Sequence, residues 1–108
     1  MIHQLRIYEI FETNKDAFHA RFHDHAARIM TRYGFDIVAM WEAKRPERTE
    51  FVYLLRWMDE ETKTQAWAAF MADQEWDDIK KATRHRGALV GDIQDRTLLL
   101  TDYSPAFT

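Results

Sequence analysis

The sequence predicts an α+β domain in which a four-stranded antiparallel sheet carries helices on one face. Three observations predict it. Strand-like and helix-period runs alternate in the order β-α-β-β-α-(α)-β. The two middle strands are joined by a turn far too short for a crossover, which makes them antiparallel neighbours. A chain of 108 residues, 46% of them hydrophobic, suits one domain over residues 1–108 with one core and leaves no room for a second.

Each element follows from local pattern. "LRIYEIF" (5–11) is rich in β-branched and aromatic residues and predicts strand 1 at about 3–11. In the "ETNKD" that follows, Asn14 or Thr13 is the expected helix cap. From Asp16 to Tyr33, Phe18, Phe22, Ala26, Ile29 and Tyr33 recur three or four apart and predict helix 1, with Gly34 as its left-handed stop. "FDIVAMWEA" (35–43) and "EFVYLLRWM" (50–58) predict a hairpin around "KRPERT", whose charges and Pro46 mark the turn. Asp59 caps a helix over 60–72 that places Ala66, Trp67, Phe70 and Met71 on one side. Asp73 caps a short third helix in "DQEWDDIKKATRHR", which runs through Trp76, Ile79 and Ala82 and stops before Gly87. "RTLLLTDY" (96–103) predicts the last strand, ended by Ser104-Pro105.

This order is the ferredoxin-like βαββαβ arrangement, and right-handed crossovers put strands 1 and 3 in its centre. A sheet with one face on helices and one in water should alternate apolar and polar residues. These strands do not. Strand 3 offers Phe51, Tyr53, Leu55 and Trp57 on one face and Val52, Leu54 and Met58 on the other; strand 2 offers Phe35, Ile37, Ala39 and Trp41 against Val38 and Met40. One helix layer covers one face only, so the expected cover for the other is a second copy of the sheet, in a two-fold homodimer closed as a barrel.

Composition excludes several functions. Without cysteine there is no disulfide framework, thiolate nucleophile or cysteine-ligated metal, which suits a reducing cytoplasm. A net charge of −3, with the signs interspersed, leaves no basic face for nucleic acid. "MIHQLRIYEI" lacks the build of a signal peptide, and no apolar run approaches the roughly 20 residues of a membrane span. No phosphate-cradling glycine loop exists among three glycines, and no Ser-His-Asp order stands out. The 14% of aromatic residues exceeds the needs of a small core and points to an interface or a pocket.

Several stretches together resemble one family. "LRIYEI", "FHARFHDH", "GFDIVAMWEA", "FVYLLRWMD", "ADQEWDDI" and the closing "LLLTDYSP" cover nearly the whole chain and look like the NIPSNAP family. The resemblance implies the dimeric α+β barrel superfamily, which includes cofactor-free monooxygenases, dismutase-like haem enzymes and ligand-binding proteins. It brings no defined reaction with it. Three positions depart from the family: "FETNKD" replaces a Pro-Gly turn, Gln74 stands where a proline is usual, and Leu55 stands where a tryptophan is common. These bear on loop shape and pocket lining rather than on the fold.

Histidines and arginines are the candidate chemical groups. On a wheel of about 100° per residue His25 falls among Phe18, Phe22 and Ile29, whereas His19 and His23 stand off that stripe. His19 and His23 are i,i+4 neighbours, but with only Asp24 near in sequence they lack the further ligands of a metal site, and no metal is expected. His25 is read either as a core histidine bonded to a strand carbonyl or tyrosine, or as a general base facing a cavity under the sheet; the resemblance favours it over the other two. Arg6 and Arg56 on the central strands require partners, either carboxylates at the dimer interface or an anionic or carbonyl group of a small ligand held together with Tyr8. The strand register decides whether the two arginines share a face.

The expected function is therefore binding of a small apolar or aromatic molecule between helices and sheet. Arg6, Tyr8, His25 and Arg56 would orient its polar atoms, Trp57 and Trp76 would pack its apolar part, and no tightly bound cofactor is expected. Should the protein be an enzyme, His25 is the general base and cofactor-free oxygenation or isomerisation the fitting chemistry, by analogy of fold alone. Haem at the sheet face is a further possibility that the superfamily raises. The contrasting expectation is an interaction protein with a solid interior, and a cavity of roughly 300 Å³ or more separates the two.

Overall fold

The computed structural model describes residues 1–84 and 87–107. Strand β1 (Ile2–Ile10) leads through a short 3-10 turn (Glu12–Asn14) into α1 (Lys15–Arg21), a π turn (Phe22–Ala26) and α2 (Ala27–Arg32), one continuous helical rod. The hairpin β2 (Asp36–Lys44) and β3 (Thr49–Trp57) follows, then α3 (Glu60–Met71), α4 (Gln74–Thr83) and β4 (Val90–Leu98). The sheet order is β2-β3-β1-β4, all antiparallel, with β1 and β3 central as the crossover rule requires. The helices lie on one face, and the core between the layers holds Ile10, Phe18, Phe22, Ile29, Met30, Phe51, Tyr53, Leu55, Trp57 and Phe70.

Capping chemistry behaves as the side chains dictate. Asp59 accepts the Thr62 N–H at 2.8 Å and Asp73 the Trp76 N–H at 2.8 Å, fixing where α3 and α4 begin. Gly34 and Gly87 take φ of 84° and 85°, the left-handed region that a side chain disfavours. Asn14 sits at the start of α1 but caps nothing; its amide donates to the Ala88 carbonyl at 3.0 Å and ties the approach to β4 instead. His85 and Arg86, at the end of the run predicted as the third helix, lie outside the described residues.

Two single-residue insertions change which side chains face inward. In the π turn the Ala27 N–H reaches back five residues to the Phe22 carbonyl, so the phase slips and Ala26, not His25, joins Phe18, Phe22 and Ile29 in the core. In β2 the pairing with β3 shifts between Ile37 and Ala39, leaving Val38 as a bulge. Trp41 then pairs with Val52 and turns to the open face, while Met40 pairs with the buried Tyr53. The alternation predicted for strand 2 therefore holds for Phe35 and Ile37 and reverses for Ala39 and Trp41.

The last strand also differs from its prediction, beginning at Val90 and ending at Leu98. Its pairing with β1 runs from Ile10↔Val90 to His3↔Leu98, so β1 is nearly used up when Leu99 is reached. Leu99, Leu100 and Tyr103 leave the sheet with exposed side chains. The apolar run that resembled a strand is a tail beyond the edge, and the polar "VGDIQDRTL" is the strand.

Asp73 joins the two helical segments more firmly than a cap alone would. Besides the Trp76 N–H, it accepts the Tyr33 hydroxyl at 2.5 Å and an Arg32 N–H at 2.9 Å. The Tyr33 hydroxyl first, then the Trp76 N–H and Arg32, hold its carboxyl below the ordinary value. A lowered folded-state pKa adds stability that is complete above the unfolded value, about 3.9, and lost as pH falls through the folded one. Asp73→Ala is therefore expected to lower the thermal midpoint at pH 7, with the gap to wild type closing below about pH 4 in a pH series of melts.

Candidate functional site

The helix-side face of the central strands carries a connected set of polar side chains, unusual for a surface that packs a core. Cross-strand register puts Gln4 opposite Leu55, Arg6 opposite Tyr53 and Tyr8 opposite Phe51, all pointing to the helices. The indole N–H groups of Trp57 and Trp67 donate to Gln4 Oε1 at 2.9 and 2.8 Å. Gln4 Nε2 donates to Asp95 Oδ2 at 2.8 Å, and Arg6 Nη1 donates to the same oxygen at 2.9 Å. Arg6 Nη2 continues the chain to the Tyr8 hydroxyl at 3.2 Å, which is bonded to the Tyr53 hydroxyl at 2.5 Å. The guanidinium lies 4.5 Å from the Trp67 ring centroid and 5.3 Å from that of Tyr8.

Proton placement in this chain has a chemical consequence. Tyr53 is wholly buried, and burial first, then Tyr8, hold its phenol well above the ordinary value despite Arg6, so it remains protonated. Among the described residues Tyr53 meets Tyr8 and Arg6, of which only Tyr8 can accept its proton, and a buried O–H left without an acceptor costs roughly 1–3 kcal/mol. Tyr53 therefore donates to Tyr8, which already accepts from Arg6. The Tyr8 proton is left to serve another acceptor.

Tyr8 and Arg6 line a cavity of about 190 Å³ between sheet and helices. Its walls are Phe18, Phe22, Ala26 and Met30 from the rod, Trp67, Phe70 and Met71 from α3, Trp76 from α4, and Val90 and Ile93 from the β4 edge, with Arg21 and Lys80 also on the lining. Trp76 stacks on Phe70 with centroids 5.3 Å apart. Among the described residues no histidine and no carboxylate lines the space. The volume is below the roughly 300 Å³ usual for larger ligands and above the roughly 150 Å³ that holds benzene in a dry engineered cavity, so it suits one ring.

Of the six residues expected to bind ligand, the structure brings Arg6, Tyr8 and Trp76 together and places three elsewhere. Arg56 points to the opposite face of the sheet, where its Nε donates to Asp36 at 2.9 Å, so the two arginines do not share a site. Trp57 is core: it packs edge-on to Phe35 with centroids 4.9 Å apart and spends its N–H on Gln4. His25 is turned out by the π turn and meets Arg28 at 2.9 Å on the outer side of the rod, so it does not face the cavity as a general base. His19 is engaged by Glu42 at 3.0 Å, a carboxylate that also binds Lys15 and Lys44, and His23 by Asp24 at 2.8 Å. Among the described residues no group of three or more His, Asp or Glu is placed to hold a metal ion, and no helix is long and apolar enough to cross a membrane.

Sequence reasoning missed Gln4, Tyr53, Asp95 and the two cations Arg21 and Lys80, whereas Trp67 was among the four tryptophans read as able to line a pocket. Parity along strand 1 did carry a signal, since Gln4, Arg6 and Tyr8 alternate with Leu5 and Ile7. Asp95 was hidden because its strand was placed six residues too late in the chain.

A model of the NIPSNAP family matches residues 3–105. Among solved structures the chain is similar to an uncharacterized NIPSNAP-like domain protein from Burkholderia xenovorans, with 20% identity over 99% of this chain and 90% of that one and a TM-score of 0.81. It is also similar to a NIPSNAP family protein from Agrobacterium tumefaciens, with 16% identity over 96% of each chain and a TM-score of 0.82. A putative antibiotic biosynthesis monooxygenase from Deinococcus radiodurans shares the fold at 11% identity, with full coverage of both chains and a TM-score of 0.58. No curated protein matches the chain in sequence.

The polar chain makes a direct prediction. Gln4 is 2% exposed, and both lone pairs of its carbonyl are used. Gln4→Leu strands two indole N–H groups and is expected to cost about 2–4 kcal/mol, read as a lower urea midpoint with an unchanged slope. A change below about 0.5 kcal/mol would mean that water replaces the amide without loss.

Proposed function

The chain belongs to the NIPSNAP family, and we propose that it is a small-molecule binding protein that takes one apolar or aromatic ring between its sheet and helices. The observation that carries this reading is the 190 Å³ cavity with aromatic walls and a polar floor, where the Tyr8 hydroxyl has a proton to give and Arg6 is held by Asp95. A wall of Phe18, Phe22, Phe70 and Trp76 offers an apolar ring more than water can, and the Tyr8 hydroxyl gives it orientation.

Binding without chemistry is the better fit to these residues. The expected general base, His25, lies off the cavity, and among the described residues no carboxylate takes its place on the lining. The likeness to the monooxygenase concerns the fold, and function belongs to the site.

The homodimer is part of the proposal. Leu5, Ile7, Val52 and Leu54 form a half-buried apolar strip on the face away from the helices, and Trp41, half exposed, is turned onto that face by the bulge. A second sheet laid on this strip would cover it and leave the cavities on the outer sides.

Two measurements test the proposal. Native mass spectrometry of the untagged protein, followed by denaturation, is expected to release a compound of one-ring size, and a panel of one-ring aromatics is expected to raise the thermal midpoint. Saturation at about 100 times Kd would stabilise by roughly 2.7 kcal/mol. Ile93→Trp, at the exposed rim of the cavity, is expected to abolish the rise; a panel without effect on wild type sinks the reading. Sedimentation at micromolar concentration is expected to give twice the chain mass, and Leu54→Glu one chain mass.

A further inference from the structure

We infer that the ligand of this cavity is an organic anion, a one-ring carboxylate of benzoate size, whose charge is taken by Arg21 and Lys80. The inference rests on the binding function proposed above and adds the chemical class. Two of the three lining cations, Arg21 and Lys80, make no ion pair within 4 Å among the described residues, although Lys80 lies near enough to Asp77, one turn back in α4, to help lower its carboxyl. Arg6 is neutralised by Asp95. Arg21 in α1 has only Thr83 Oγ1, at 3.2 Å, and a place 5.4 Å from the Trp76 ring centroid. Lys80 in α4 holds its ammonium 5.7 Å from the same centroid.

Other cations of the helices sit against carboxylates, as Arg28 and Arg32 do on Glu75, and so does Arg48 on Glu50, whereas the exposed Arg96 donates to the Gln94 amide oxygen. Cations left single beside an apolar wall are costly to bury and are relieved by an incoming anion. Burial lowers the Arg21 pKa, and Arg21 and Tyr8 line the same cavity. A carboxylate has two oxygens, one for the Arg21 fork and Lys80, one for the free Tyr8 proton. The aromatic wall then takes the ring, and a space of about 190 Å³ has little room beyond it. A bare phosphate would leave that wall unused.

Titration of the full chain with sodium benzoate, benzamide and toluene, followed by the indole N–H resonances of Trp67 and Trp76, tests the assignment. Benzoate is expected to bind about tenfold or more tightly than benzamide or toluene, since charge-assisted hydrogen bonds are roughly twice as strong as neutral ones. That advantage is expected to shrink in high salt. Arg21→Gln and Lys80→Gln are each expected to weaken benzoate about tenfold and leave toluene unchanged, with Arg21→Lys restoring part of the loss and thermal midpoints reporting that each variant folds. Neutral probes that bind as tightly as benzoate would overturn the anion and leave the binding function standing. If none of the three moves the indole resonances, both fall. Benzoate binding indifferent to both substitutions would mark an unrelated surface site and overturn the assignment.

Discussion

Everything on the helix side of the sheet depends on how one buried amide is satisfied. Gln4 lies on the central strand with 2% exposure, where an unpaired amide would be costly, and each of its polar atoms has a partner from a different element. Its carbonyl takes one indole from β3 and one from α3, and its amino group takes Asp95 from β4. One side chain thus links β1, β3, β4 and α3. Asp95, fixed by Gln4, in turn fixes the Arg6 fork, which aims the guanidinium along Trp67 and into the Tyr8 hydroxyl. The polarity of the cavity floor is a consequence of the core's own hydrogen bonding. Arg6 Nε is buried without a partner, as expected when the two ends of the fork set its orientation and the middle must follow.

Space for a ligand comes from a second constraint, the phase of the long helix. An uninterrupted helix would bring His25 under the sheet. The π turn brings Ala26 there instead, and a methyl group between Phe22 and Met30 leaves volume that an imidazole would fill. The bulge in β2 works in the same way on the other side of the molecule, moving Trp41 from the core face to the open face and offering Met40 to the rod. Each irregularity inserts one residue and inverts the environment of those that follow.

This explains what was legible in the sequence. Element order, the central place of β1 and β3, both aspartate caps and the Gly34 stop were legible because each rests on local chemistry that tertiary structure does not override. Arg6, Tyr8 and Trp76 were legible for the same reason, as a cation and a phenol sharing a strand face and a tryptophan on a helical stripe. His25 and Trp41 were misplaced because periodicity presumes an unbroken 3.6 or 2.0 repeat, and neither "FHDHA" nor "DIVAM" announces an extra residue. β4 was displaced because an edge strand beside water carries Asp92, Gln94, Asp95 and Arg96, whose polarity reads as loop, while the apolar tail beyond it reads as strand. Gln4 was missed since a lone glutamine in a strand carries no signal until its two tryptophans are brought over it by α3 and β3.

The distribution of charge gives the cavity its character. The chain carries three more acidic than basic residues, so carboxylates are not scarce, and the rod alone meets them at Glu42 and Glu75. Their absence from the cavity lining, among the described residues, is thus a matter of placement. A net negative protein offers no long-range attraction to an anion, and that field is largely screened beyond about 8 Å in physiological salt. Recognition there must come from short-range contact. Aromatic walls lower the local dielectric, which strengthens the pull of Arg21 and Lys80 on whatever reaches them, and stacking against Trp76 holds both cations beside the ring without neutralising them. On the proposed binding function, a site built this way would reject small hydrated ions, which gain nothing from the walls, and favour a solute that carries its own apolar surface.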